Sequence, residues 1–347
     1  MTRARDVADT QDNTGGAVAP FVAGKNKIIN GDFSQWQRGT SFTLAGSIAN
    51  NFTADRFNAQ FDGTGATCTV TQQTFTTGAA PVAGYEGTYF ARWNRSAAGS
   101  GNTLNYFKQQ IEDVRTFAGQ NITLSFWAKA DATRTLIPQM YQEFGSGGSG
   151  AVLALGGSVS LTTTWQRFTI TATVPSISGK TIGTNSSLTL YFIIFIMPTG
   201  VAFTIDYWGI MVEAGSVATP FTPAGGGFPG AELALCQRYY QTDQSAGTGS
   251  TSTGYLMQGI TSSRIVCNIF FPVQMRTTPT VTMSTGAPYW ESVPYNTVGS
   301  LTLSAVEASK MTRSGGLLSI VGTFGTTPVQ NYPGLLGSNQ ITYSAEL

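Results

Sequence analysis

The stretch Ile122–Ala130 reads ITLSFWAKA, and its alternation decides the fold. In an extended chain Ile122, Leu124, Phe126 and Ala128 fall on one side and Thr123, Ser125, Trp127 and Lys129 on the other, so one face packs and the other is presented. The same period of two recurs in LNYFKQQI (Leu104–Ile111), WQRFTITATV (Trp165–Val174) and FTIDYWGIMV (Phe203–Val212). Clusters of Gly, Asn, Ser and Thr punctuate these segments from Lys25 to about Thr222, which predicts an all-β jelly-roll sandwich of two sheets. The most apolar run, LTLYFIIFIM at Leu188–Met197, is too short to span a membrane and predicts a central strand buried on both faces.

Composition narrows the chemistry. The 347 residues leave room for roughly two domains, and only 11% are charged, against about 25% in an average soluble domain. A formal net charge of +1 creates no field that would draw the chain to nucleic acid or to an anionic membrane. Histidine is absent, which removes the commonest general base, the usual Ser and Cys triads and every imidazole metal site. Cys68, Cys236 and Cys267 are too widely spaced for a CxxC zinc or redox motif, and an odd count is a poor disulfide framework. Buried free thiols made in a reducing compartment are expected. The opening MTRARDVADTQDN has no apolar core of the kind a secretory signal needs, so no export is expected.

Residues 1–24 show no periodic apolar pattern and read as an extended arm, either a disordered terminus or a docking peptide ordered by a partner, with Arg3, Arg5 and Asp6 as its charged contacts. The jelly roll is expected over 25–222. The Pro/Gly tract TPFTPAGGGFPG (Thr219–Gly230) then breaks the pattern, and 223–230 reads as a linker. A smaller β domain is expected over 231–347, opening on one short helix in AELALCQRYY (Ala231–Tyr240). Its strands are expected at Arg264–Phe271, Thr280–Met283, Leu301–Val306, Leu317–Phe324 and Ile341–Ser344, with Pro272 and Pro279 at strand ends. Fixed-period repeats and coiled-coil heptads are not visible.

Several stretches carry a resemblance. INGDFSQWQRGTSF (Ile29–Phe42), FTADRF (Phe52–Phe57), LSFWAKA (Leu124–Ala130), TTTWQRFTITATVP (Thr162–Pro175), IDYWGIMVEAGSVATPF (Ile205–Phe221), GAELALCQRYYQ (Gly230–Gln241), PVQMRTTPTVT (Pro272–Thr282), the terminal YSAEL and the opening TRARDVAD (Thr2–Asp9) occur in this order. Together they resemble bacteriophage virion proteins, tail-fibre-like or head-fibre-like, that carry a carbohydrate-binding-module-type jelly roll. The resemblance implies a structural, non-catalytic homotrimer, assembled in the host cytoplasm. It would be attached to tail or capsid proteins through residues 1–24 and would contact host-surface glycans. Only about 24 residues precede the jelly roll, with no shaft, so a capsid decoration stands beside a tail fibre as a reading.

Candidate residues follow from what each chemistry needs. Sugar binding takes aromatic rings that stack on pyranose faces and neutral side chains that orient hydroxyls. Trp127 and Lys129 share a strand face, as do Tyr106, Lys108 and Gln110, and Gln139 and Tyr141 do the same in IPQMYQEF. These seven are expected to line one shallow glycan-binding surface; the competing reading buries the aromatics against a loop or a neighbouring subunit. Trp36 is expected to pack between Phe33 and Phe42, and Asp55 with Arg56 forms either an exposed pair or one that orders a strand entry. Resemblance to carbohydrate-binding modules further implies a structural calcium at Asn30, Asp32 and Asp206, although Ser34 stands where an acid is often found; no other cofactor is expected. Glycosidase chemistry needs two carboxylates about 5 to 10 Å apart. The pairs Glu112/Asp113, Asp131/Glu143 and Asp206/Glu213 do not stand out from surface acids, and no enzymatic activity is expected. The loop GSGGSG (Gly145–Gly150) lacks the Lys-Ser/Thr ending of a phosphate loop.

Overall fold

Strict alternation of buried and half-buried positions along Asn105–Glu112 is the local signature from which the sandwich is built. The computed structural model describes residues 23–45, 51–81, 86–97, 99–101, 105–193, 201–243, 255–283, 289–292, 297–324, 333–337 and 341–347. The docking residues Arg3, Arg5 and Asp6, and the arm up to residue 22, lie outside these. The chain divides into two compact units after Leu235.

The first unit contains β1 (Ser41–Ala45), β2 (Asn51–Phe52), β3 (Asn58–Phe61), β4 (Thr67–Thr74), β5 (Tyr89–Ala97), β6 (Asn105–Glu112) and β7 (Asn121–Ala130). It continues with β8 (Arg134–Glu143), β9 (Val152–Gly156), β10 (Val159–Leu161), β11 (Gln166–Thr173), β12 (Ser187–Ile193) and β13 (Phe203–Ala214). One sheet has the order β1-β4-β5-β13-β7-β11; the other runs β10-β8-β12-β6-β3-β2, with β9 also on β8. The described pairings are antiparallel, as an all-β jelly roll requires.

Each strand turns its apolar set inward. Phe107 and Ile111 of β6, Leu188, Leu190 and Phe192 of β12, Leu124 and Phe126 of β7 and Ile205 and Tyr207 of β13 form one buried core. Phe107 stacks on Tyr207 at 5.6 Å between ring centres, joining the two sheets. β13 carries a bulge between Trp208 and Met211, and Gly209 there adopts φ +63°. The extra residue resets the alternation, so that Ile210 and Val212 stay in the core while Trp208 and Met211 both join the separate cluster beyond the sheet. Trp36 packs as expected, donating from Nε1 to the Phe33 carbonyl at 2.7 Å and stacking on Phe42. Asp55 and Arg56 are both buried and held by different partners: Asp55 accepts from Gln37, and Arg56 donates to the Gln110 carbonyl at 2.6 Å.

The Pro/Gly tract is not a free linker. Residues 221–226 are buried, Phe221 packs on Trp208 at 5.1 Å, and the Asn26 amide donates to the carbonyls of Ile210 and Thr222. The division into units therefore falls beyond the tract, and the reason is apolar burial: Phe221 and Ala224 gain more by returning to the sandwich than by spanning open solvent. The single described helix, α1 (Pro229–Gln237), starts two residues before the expected Ala231 because proline fits the first helical position. Glu232 in its first turn bends back to accept from the backbone N–H groups of Asn30 and Gly225, each at 2.5 Å.

The second unit holds a three-stranded sheet of β14 (Tyr240–Asp243), β22 (Ile341–Ser344) and β17 (Thr280–Met283). A closed barrel joins β15 (Tyr255–Thr261), β16 (Arg264–Phe270), β20 (Gly315–Phe324), β19 (Thr297–Thr312), β18 (Tyr289–Ser292) and β21 (Pro333–Gly337) in that order. Its core gathers Ile265, Cys267, Ile269, Leu318, Ile320, Ile341 and Tyr343. Pro279 directly precedes β17 and Pro272 follows β16, at strand ends as expected. Among the described residues no helix is long and apolar enough to cross a membrane.

Candidate functional site

The seven residues expected to share one surface are split between the two sheets. Tyr106, Lys108 and Gln110 on β6 and Gln139 and Tyr141 on β8 all belong to the second sheet, whereas Trp127 and Lys129 belong to β7 in the first. The correction has a packing cause. Trp127 is half-buried in an apolar cluster with Trp208, Met211, Phe75, Phe90, Phe221 and Trp165 on the outer side of its own sheet. Lys129 lies opposite Asp206, 3.5 Å from its carboxylate, with its ammonium over the Trp165 ring.

On the second sheet, register converts scattered residues into a grid. β12 lies between β6 and β8, pairing Tyr191 with Lys108 on one side and with Gln139 on the other. One row across the sheet therefore reads Phe52, Asn58, Lys108, Tyr191, Gln139, and the next contains Gln110, Thr189 and Tyr141. Tyr106, beside Lys108, donates its hydroxyl to Gln60. Tyr191 stands edge-on to two rings, 5.0 Å from Tyr106 and 5.9 Å from Tyr141 between centres. Aromatic pairs favour this arrangement, so the three rings brace one another.

Polar contacts then fix the rings in place. Glu143 at the end of β8 accepts from the Tyr191 hydroxyl at 2.5 Å, from Thr189 at 2.8 Å and from Ser187 at 3.3 Å. Tyr141 donates to Gln139 at 3.3 Å, and Gln110 donates to Ser187 at 3.4 Å. Burial pushes the Tyr191 phenol well above its ordinary range, and the bond to Glu143 pushes the same way, so it remains a donor at neutral pH. Burial likewise raises Tyr106 and lowers the Lys108 ammonium, the latter partly offset by the charge of Glu143. The result is a half-buried face of three rings, two amides and one ammonium, able to pack against a flat C–H surface and to bond hydroxyls around it.

Tyr191, Glu143, Thr189 and Gln60 were not expected here. Leu188–Met197 reads as a central strand buried on both faces, and β12 is central, with Leu188, Leu190 and Phe192 in the core and Ser187 and Thr189 buried on the other side, where Tyr191 alone of the polar residues stays half-buried. The alternation in SLTLYFI carries that signal, and the apolar residues after it, of which 194–197 lie outside the described residues, mask it.

The residues implied for calcium do not fit the ion. Both oxygens of Asp206 accept from Arg92, at 2.7 and 2.9 Å, and Lys129 lies beside them. The Asn30 side-chain oxygen accepts from the Gln35 backbone, its amide donates to the Gln35 and Asp55 carbonyls, and Asp32 accepts from Ser34. A carboxylate already neutralised by a guanidinium is a poor ligand for a hard divalent cation. Asp32 lies instead at a cleft of about 350 Å³ with Glu86, Glu232, Tyr89 and Phe228. Burial raises the Glu232 carboxyl, and the Asp32 charge adds to the rise, while the two backbone donors oppose it.

No family model and no curated protein matches the chain. Solved structures that match include a carbohydrate-binding module, CBM4, at 22% identity over 54% of this chain and 99% of that one, with a TM-score of 0.31. The xylan-binding domain CBM22-1 from Paenibacillus barcinonensis matches at 12% identity over 56% of this chain and 98% of that one, TM-score 0.30. The enzymatically active domain of tailspike protein 4 from bacteriophage CBA120 matches at 15% identity over 55% of this chain but only 21% of its own, TM-score 0.32.

Proposed function

We propose that the first unit binds glycans on the outer face of its second sheet, and that the chain is a non-enzymatic fibre or adhesin of a virion. The observation that carries the binding half is the convergence of Tyr106, Tyr141 and Tyr191 with Lys108, Gln110 and Gln139 on one half-buried sheet face. Rings braced edge to face offer rigid C–H packing at low entropic cost, and the amides around them exchange hydrogen bonds with hydroxyls. The non-catalytic half is supported by the prior commitment of the carboxylates weighed for glycosidase chemistry on strands β7, β8 and β13 and at their ends. Glu143 accepts from three hydroxyls, Asp206 is paired with Arg92, Asp131 with Arg134, and Glu213 accepts twice from Thr219.

The virion setting, the homotrimer and the attachment through residues 1–24 rest on the sequence resemblance alone. A glycan array probed with the full chain tests the binding half: discrete hits lost in Tyr191→Ala support it, and a blank array overturns it. Tracing the chain on intact particles by electron cryo-microscopy tests the setting. An arm seated in tail proteins makes it a fibre, an arm on capsid subunits makes it a head decoration, and absence from the particle removes the virion reading.

A further inference from the structure

Asn58 of β3 and Lys108 of β6 are directly opposed in register, on the face that carries Tyr106 and Tyr191. Both hold hydrogen-bonding capacity that the described residues do not use. The Lys108 ammonium sits 5.6 Å from the Tyr106 ring centre and 5.8 Å from that of Tyr191, half-buried, with no hydrogen bond or ion pair to the described residues. Asn58 is 1% exposed, and neither its Nδ2 nor its Oδ1 has a hydrogen-bond partner. Native proteins rarely leave a buried amide unpaired on both atoms, because its lost hydration is then uncompensated.

The carboxylate best placed to answer is already committed. Glu143 feels Lys108 electrostatically, but its two oxygens accept from Tyr191, Thr189 and Ser187. The Lys108 ammonium offers three donors that the described residues do not use. A neutral hydroxyl would satisfy one of them. An anion would accept several of them through short charge-assisted bonds. The two tyrosine rings hold the cation in place before any ligand arrives.

Resting on the glycan-binding reading, we infer that the ligand of this face is an acidic glycan, whose carboxylate or sulfate group is received by Lys108. Lys108 is then the residue that sets specificity, while the tyrosines supply affinity common to acidic and neutral sugars.

The test is an array of uronic, sialylated, sulfated and neutral glycans, followed by titration calorimetry of the strongest acidic hit against its carboxyl-reduced or desulfated counterpart. Expected is a preference of at least about tenfold for the acidic form, weakened by salt. Lys108→Met keeps the stem that packs on the rings and should abolish the preference, weakening the acidic form at least about tenfold more than the neutral counterpart. Lys108→Arg should retain the preference, and equal melting temperatures of the three proteins would show that folding is intact. Whether carboxylated or sulfated glycans lead the array identifies the anion. Equal binding of acidic and neutral forms, or a preference that survives Lys108→Met, overturns the inference and leaves glycan binding standing; a blank array overturns both.

Discussion

The two outer faces of the sandwich both carry aromatic rings and use them differently. Beyond the first sheet, Trp208 and Met211 are fully buried, and Phe75, Phe90 and Phe221 nearly so, with Phe221 packed on Trp208 and Trp165 on Phe75 and Phe90. Beyond the second sheet, Tyr106, Tyr141 and Tyr191 remain half-buried among amides, hydroxyls and one ammonium. Tryptophan and phenylalanine offer large apolar areas that reward a cover. Tyrosine keeps a hydroxyl that must be hydrogen-bonded, and here Glu143, Gln60 and Gln139 do so. An aromatic residue on the polar side of a strand is therefore ambiguous until its cover is known, and Phe221, far along the chain from Trp127, decides that question for the first sheet.

If one face holds the fold together and the other serves binding, substitutions on each should move different measurements. The largest effect is expected for Trp208→Ala, which empties the centre of the covered cluster. It should cost about 3–5 kcal/mol of stability in urea unfolding, and a change under about 1 kcal/mol would break the comparison. On the open face Tyr191→Ala should lower glycan affinity by about 30-fold or more, the scale of a hot-spot residue, with a smaller change in stability. Tyr191→Phe then sharpens the picture. It keeps the ring and removes the donor to Glu143, so calorimetry should report a loss of only about three- to tenfold, the scale of one ordinary hydrogen bond.

A smaller effect of opposite sign is expected in the core between the faces. The Tyr207 hydroxyl is buried without a hydrogen-bond partner among the described residues. Replacing it with phenylalanine should raise stability by about 1 kcal/mol, since no bond is lost and a desolvated polar atom is removed. Lower stability in Tyr207→Phe would mean that the hydroxyl contributes to holding the sheets together.

The smallest effect concerns pH. Burial raises the Glu232 carboxyl above its ordinary value of 4.5, so between the two values the folded chain binds more protons than the unfolded one. Linkage then makes this contribution complete below about 4.5 and lost as pH rises through the raised value. The difference in urea midpoint between Glu232→Gln and the parent chain should accordingly shift in favour of the variant as pH rises from about 4 to 7. A shift in favour of the parent would show that the two backbone donors outweigh burial.

The strands and the division of each into an inward and an outward side were legible in the sequence, because a period of two is a local property. Asn105–Ile111 and, apart from the bulge at Gly209, FTIDYWGIMV divide into two sides as their alternation says, whereas in ITLSFWAKA the side read as presented is covered, with Thr123 and Ser125 buried. Five of the candidate residues on β6 and β8 meet on one face, yet nothing local places β12 between these strands or brings Tyr191 to the centre. The closure of the barrel in the second unit is likewise a matter of pairing: β21 joins β15 and β18, and so completes a ring that no single strand announces. The Pro/Gly tract shows the same limit from the other side. Its residues forbid regular structure, which is local, but whether such a segment spans or packs depends on the apolar surface it meets. Sequence by itself determined the all-β class, the exclusion of histidine chemistry and which side chains share each strand face. Tertiary structure decided which strands became neighbours, which aromatic face was covered and where Lys108 was left without a hydrogen bond to the described residues, because those outcomes depend on free energies gained between residues far apart in the chain.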